Sequence, residues 1–147
     1  MDALQRQIEY YRARAEEYDE WFYRRGRYDR GPALNQQWLD EADVCMKRLS
    51  SVGRVETALE LAAGTGIWTE QLVKIAAHVT AVDASQEVLA INRDKLGYPE
   101  NVAYQQVDLF SWEPERQYDL VSFTFWLSHI PPSLVGEFLS KVSRATK

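Results

Sequence analysis

The sequence predicts an α/β fold: a parallel sheet with helices on both faces. Two observations predict it. From Val55 onward, short apolar segments alternate with amphipathic ones, the rhythm of strand–helix–strand units. The first of these strands runs into a turn of small residues, Ala62-Ala63-Gly64-Thr65-Gly66, that opens a helix.

Ahead of that core the pattern is helical. Leu4, Ile8, Tyr11, Ala15, Tyr18 and Phe22 recur at steps of three and four, one face of an amphipathic helix with Asp2 as its N-cap. Arg24 to Pro32 breaks the period and reads as a basic loop holding Arg24, Arg25, Arg27 and Arg30. A second helix follows, with Leu34, Trp38, Ala42, Cys45 and Leu49 on its inner face. Residues 1–51 are expected to form a helical cap and residues 52–147 a core, within one domain.

In the core, Val55 to Leu61 is the first strand. The helix after the glycine turn carries Leu72, Ile75 and Ala76, and Val79 to Asp83 is the second strand. Ser85 caps the next helix, which holds Val88, Leu89 and Ile91 and stops at Gly97. Val102 to Val107 and Tyr118 to Phe125 are the third and fourth strands. Pro131 and Pro132 open a last helix bearing Leu134, Phe138, Val142 and Ala145.

Composition narrows the function classes. Of 147 residues, 46% are hydrophobic and 27% charged, as in an ordinary globular domain. The sequence lacks the long apolar run of a membrane span and the apolar stretch of a secretion signal. A single cysteine, Cys45, forms no internal disulfide, and a cytoplasmic setting is expected. A net charge of −5 argues against nucleic acid as a partner, and no membrane partner is expected. Two histidines and one cysteine make no metal site.

The chemistry sits at strand ends. Small residues at the turn let a ligand approach the backbone, and the helix that follows offers free N–H groups to negative charge. Glu60 ends the first strand, Asp83 the second and Asp108 the third. A carboxylate at Asp83 can accept from both ribose hydroxyls, and one at Asp108 from an exocyclic adenine amine. Each has a plainer reading beside it. The glycines can simply make a tight turn, Asp83 can cap a helix beside Ser85, and Asp108 can serve the turn before Leu109.

These segments resemble class I S-adenosylmethionine-dependent methyltransferases of the small-molecule type. Glu60-Leu61-Ala62-Ala63-Gly64-Thr65-Gly66 resembles the first motif, with Ala62 where the family often has glycine. Val82-Asp83-Ala84-Ser85 resembles the second motif and Gln106-Val107-Asp108-Leu109 the acidic third. Tyr118 to Phe123 with Leu127-Ser128-His129-Ile130-Pro131 is similar to the fourth strand and its exit, and Arg14 to Asp19 to a cofactor-covering helix. The resemblance implies a Rossmann-like sheet and S-adenosylmethionine as cofactor. Asp83 and the adjoining Ala84 would hold ribose, and Asp108 and the Leu109 amide adenine. The turn of Glu60, Ala62, Gly64 and Gly66 would hold the methionine part with Phe125. Family members continue into three more strands, with sheet order 3-2-1-4-5-7-6, whereas this sequence stops at Lys147. The order expected here is 3-2-1-4. The expected function is methyl transfer to a small molecule; the alternative is a cofactor-binding module without turnover of its own. A fourth strand left at the sheet edge is expected to favour self-association.

Other residues carry paired readings. His129 is a candidate general base, or a packing or capping histidine ahead of Pro131. Tyr18 and Trp21 are a lid over the cofactor or core packing, whereas Trp112 and Trp126 read as packing. The arginine run draws an anionic substrate or the cofactor carboxylate, or is a solvated loop. His78 reads as a surface residue. A nicotinamide dehydrogenase fits less well, because Thr69 stands where that fingerprint needs a small third residue.

Overall fold

The computed structural model describes residues 2–147, without the side chains of Tyr11 and Arg12, so the inward placement expected for Tyr11 lies outside the described residues. Helix α1 covers Ala3–Ala13, and the Asp2 carboxylate accepts from the Gln5 amide at 2.8 Å as its cap. The helix expected to run on to Phe22 is interrupted. Arg14 leaves helical geometry (φ −107°, ψ 9°), a 3₁₀ turn spans Ala15–Glu17, and α2 is only Tyr18–Phe22. The break lets Ala15 and Phe22 bury while most of α1 stays exposed.

Helix α3, Pro32–Ser50, starts on a proline whose missing N–H is no loss at that position. Its inward seam is Trp38, Ala42, Met46 and Leu49, packed on Phe22, Ile67 and Trp68. Leu34 and Cys45, expected on that face, are exposed. The helix is nowhere fully buried, and its narrow contact stripe follows the period of 3.6 past both positions.

Four parallel strands form one sheet in the order β3-β2-β1-β4, as expected. They are β1 Val55–Leu61, β2 Ala76–Asp83, β3 Val102–Gln106 and β4 Leu120–Phe123. Between them lie α4 Thr69–Leu72, α5 Gln86–Lys95 and, after β4, α6 Pro132–Ala145. The helix after the glycine turn is shorter than the apolar spacing suggests. The Ile75 carbonyl already accepts from Val55, and Ala76 pairs with Val55 in β2. The apolarity of Ile75 and Ala76 therefore belongs to the sheet core. β4 is also shorter than expected: Phe125 turns to φ +53°, and Tyr118 bridges to Thr146 near the C-terminus.

Alternation along β1 builds two cores. Ala58 faces Leu72 of α4 and Leu89 of α5 on one side of the sheet. Leu59 and Leu61 face Phe138 and Ala145 of α6 on the other. Helices thus cover both faces, and the strand order reverses beside β1. That reversal is where α/β sheets open a crevice at the carboxyl ends of their strands.

Candidate cofactor site

A cavity of about 450 Å³ opens at that crevice, within the size range of small-molecule sites. The floor comes from the strand ends. Ala62, Gly64 and Thr65 of the turn line it, with Asp83 and Ala84 at the end of β2 and Asp108 and Leu109 after β3. Phe125 and His129 line it from the segment after β4, and Tyr18 and Trp21 from α2. Gln7 of α1 and Arg14, just past its end, complete the wall. Most residues that the sequence singles out thus converge on one space.

The turn is held from both sides. The Gly64 amide donates to Asp83 Oδ2 at 3.0 Å, and the Ser85 amide donates to Oδ1 at 2.9 Å. Burial raises the Asp83 carboxyl above the ordinary aspartate range, while those backbone donors pull it down. The Ser85 hydroxyl accepts from the Val88 amide, so Ser85 is the helix cap and Asp83 stays turned to the cavity. Asp108 does serve its own turn, accepting from the Phe110 amide at 3.0 Å, and it also lines the cavity.

Two candidates lie behind the cavity wall instead of on it. Glu60 is 2% exposed and accepts from the Thr69 hydroxyl at 2.5 Å. Desolvation drives its carboxyl up to about 8, and the nearby Asp83 adds to the rise. Gly66 has φ +101°, and a Cβ there would meet Leu96 Cδ1 at 2.9 Å and Asn92 at 3.0 Å. Glycine is needed at Gly66 for close packing of the turn on α5.

Asn92 joins the site from α5, a role that the motifs do not announce. It is fully buried, and its amide nitrogen donates to the Gly64 carbonyl and to Thr69 Oγ1. Its oxygen accepts from the Tyr104 hydroxyl at 2.9 Å. A polar residue four positions after Val88, on the inward face of α5, is the signal that marks it.

Three arginines of the run are spent on aromatic faces and an ion pair. Arg24 sits 4.1 Å over the Trp38 ring and Arg25 4.9 Å over Tyr23, while Arg27 pairs with Glu17. None of the run lines the cavity; Arg14 does, bonded to the Tyr10 and Tyr28 hydroxyls. Phe125 stacks on Trp38 at 6.0 Å and meets Trp21 edge-on at 5.6 Å. Trp126 packs on Phe110 and Phe138, and Trp112 is buried in the core beneath α6. Burial lowers the His129 imidazole, which favours its neutral form. His78 is exposed beside Glu56.

The sequence profile of a methyltransferase domain matches residues 58–147. The chain belongs to this methyltransferase family. The chain is 36% identical to the malonyl-acyl-carrier-protein O-methyltransferase of Bacillus cereus over 116 residues, covering 76% of this chain and 43% of the relative. It is 25% identical to a ribosomal RNA small subunit methyltransferase A of Thermotoga petrophila over 111 residues, 74% of this chain and 41% of that protein. The structure of DhpI in complex with SAH superposes with a TM-score of 0.84 at 37% identity, covering 98% of this chain and 64% of that one. The chain thus spans less than two thirds of the length of each.

Proposed function

We propose that this methyltransferase domain binds S-adenosylmethionine in the cavity and serves methyl transfer to a small-molecule acceptor. One observation carries the reading: Asp83, ending β2, and Asp108, just past the end of neighbouring β3, line one cavity with the Gly64 turn at the sheet's reversal point. In this reading Asp83 and Ala84 hold the ribose, and Asp108 with the Leu109 amide holds adenine. Ala62, Gly64, Tyr18 and Phe125 wall the methionine part, while Glu60 and Gly66 shape the turn from behind. When bound, the cofactor supplies a methyl group on a sulfonium, and the protein's task is to align it with the acceptor and exclude water.

His129 lies on the cavity wall, and its neutral imidazole suits it to take a proton from an acceptor that must lose one. A small acceptor is favoured over nucleic acid because α1 and α2 wall the cavity and the chain carries net charge −5. Residues 1–51 act in this reading as a cap on a core of 52–147. The proposed setting is the cytoplasm, which an exposed, unpaired Cys45 suits. Among the described residues no helix is long and apolar enough to cross a membrane.

Calorimetric titration with S-adenosylmethionine tests the reading. Saturable binding with a rise in thermal midpoint is expected, since a ligand that prefers the folded state stabilises it. A folded chain that takes up no cofactor at millimolar concentration overturns it.

A further inference from the structure

The cap reaches the glycine turn through the Asp19 carboxylate. Asp19 of α2 accepts from the Thr65 hydroxyl at 2.5 Å and pairs with Lys95 at the end of α5. Thr65 is 1% exposed, lies between the two turn glycines and lines the cavity. Asp19 and Lys95 are each about three-quarters buried, so their ion pair is partly shielded from water and salt. The residue before Asp19, Tyr18, is itself part of the cavity wall, as is Trp21 one half-turn on.

The two ends of the cap differ in how they are fastened. Downstream, Phe22 is 1% exposed, and its carbonyl accepts from Trp38 Nε1 at 2.7 Å, which ties the end of α2 to α3. Upstream, α1 is mostly exposed, and the Gln7 side chain reaches the His129 carbonyl at 3.3 Å across the cavity. The chain leaves helical geometry at Arg14, between these regions. Asp19 stands between Phe22, tied to α3, and the mostly exposed α1.

We infer that Asp19 is a positioning residue that latches the cap over the cofactor turn, through Thr65 and Lys95, and so sets how fast a bound nucleoside leaves. The inference rests on the cofactor reading above. With the latch closed, Tyr18 stays over the cavity and Thr65 is pinned beside Gly64. With it broken, the upstream cap can lift while Phe22 keeps α2 on the core. The latch touches no reacting atom and acts on retention. Its removal raises the dissociation rate and leaves association nearly unchanged, the pattern expected when contacts formed after encounter are lost.

The test follows intrinsic tryptophan fluorescence in stopped flow as S-adenosylhomocysteine binds and is displaced from the 147-residue chain. Asp19→Ala is expected to speed release by about tenfold or more, the scale of a lost charge-assisted hydrogen bond. Asp19→Asn, which keeps an acceptor for Thr65, and Lys95→Met, which removes only the ion pair, are expected to fall between parent and Asp19→Ala. Hydrogen exchange in the unliganded protein should quicken over residues 3–18 while Phe22 and β1 stay protected; a merely structural defect would loosen β1 as well. Lys95→Met keeps the question open to refutation if Asp19→Ala fails to fold. Equal release rates in the parent and the folded variants overturn the latch and leave the cofactor reading standing. No binding by the parent overturns both.

Discussion

Asp83 and Gly64 are joined across the cofactor turn: the glycine amide donates to the carboxylate at 3.0 Å. The acid proposed to hold the ribose therefore also fixes the backbone against which the methionine part would lie. Asp83→Ala should weaken S-adenosylhomocysteine binding by about 1.5–3 kcal/mol, through loss of a charged acceptor. His129→Ala should change it by less than about 0.5 kcal/mol, as substitutions away from a binding contact do. Calorimetric titration of both variants checks the pair, and equal affinities would misplace the ribose.

Glu60 gives the fold a pH dependence of definite sign. Its carboxyl titrates near 8 when folded, against an ordinary value of 4.5. The folded state holds a proton over that interval that the unfolded chain gives up. The stabilising contribution is thus complete below about 4.5 and is lost as pH rises through about 8. Asp83, also raised, adds a slope of the same sign. Glu60→Gln keeps an acceptor for Thr69 and should flatten the fall in denaturation free energy between pH 5 and 8.5, leaving the part due to Asp83. A variant with the parent's slope would show that Glu60 ionises normally.

Two neighbours in the turn should respond to substitution in opposite directions. Ala62 sits at φ +54°, a left-handed conformation that costs an L-residue about 1–2 kcal/mol. Ala62→Gly removes that strain, offset in part by the greater freedom of glycine when unfolded, and should stabilise by up to about 1 kcal/mol. Gly66→Ala instead drives a Cβ into Leu96 and Asn92 at positive φ, and should cost about 2 kcal/mol or more. Urea denaturation of the two variants reads both signs directly.

How much of this was legible in the sequence depended on whether the signal was local. Strand order and both helical layers followed from the strand–helix rhythm and the motif resemblance, and Asp83, Asp108 and the Gly64 turn lie together on the cavity as their spacing implied. Element ends were less legible. Ile75 and Ala76 continue an apolar helical spacing, and only pairing with Val55 assigns them to the sheet edge of the turn. Leu34 and Cys45 fit a helical stripe equally well, and only the partner surface of Phe22 and Trp68 selects Met46 over Cys45. The position of Glu60 at a strand end suggests a ligand contact, yet a strand-end acid can point either way. Here it points to Thr69. Asn92 and Asp19 act through partners at least 12 residues away in the chain, contacts that no local pattern carries.

The sheet edge yields the last prediction. β4 pairs only with β1 over Leu120–Phe123, and its outer side is the end of the four-stranded sheet. The edge is partly guarded, contrary to the sequence reading. Tyr118 exchanges backbone hydrogen bonds with Ala145 and Lys147, and the Lys147 ammonium pairs with Asp119 at 2.8 Å. These contacts cover the start of the strand and stop before Leu120. Leu120, Val121 and Phe123 follow with no lysine or proline among them. An uncovered row of N–H and C=O groups beside apolar side chains pairs readily with another strand. The 147-residue polypeptide should therefore self-associate as its concentration rises, through Leu120–Phe123. Light scattering across a dilution series reads the mass, and hydrogen exchange at high and low concentration reads the site. Protection of Leu120–Phe123 should increase with concentration while that of Tyr118 stays constant. A single monomer mass throughout, with Leu120–Phe123 protected even when dilute, would show that the chain covers this edge unaided and would remove the basis for association.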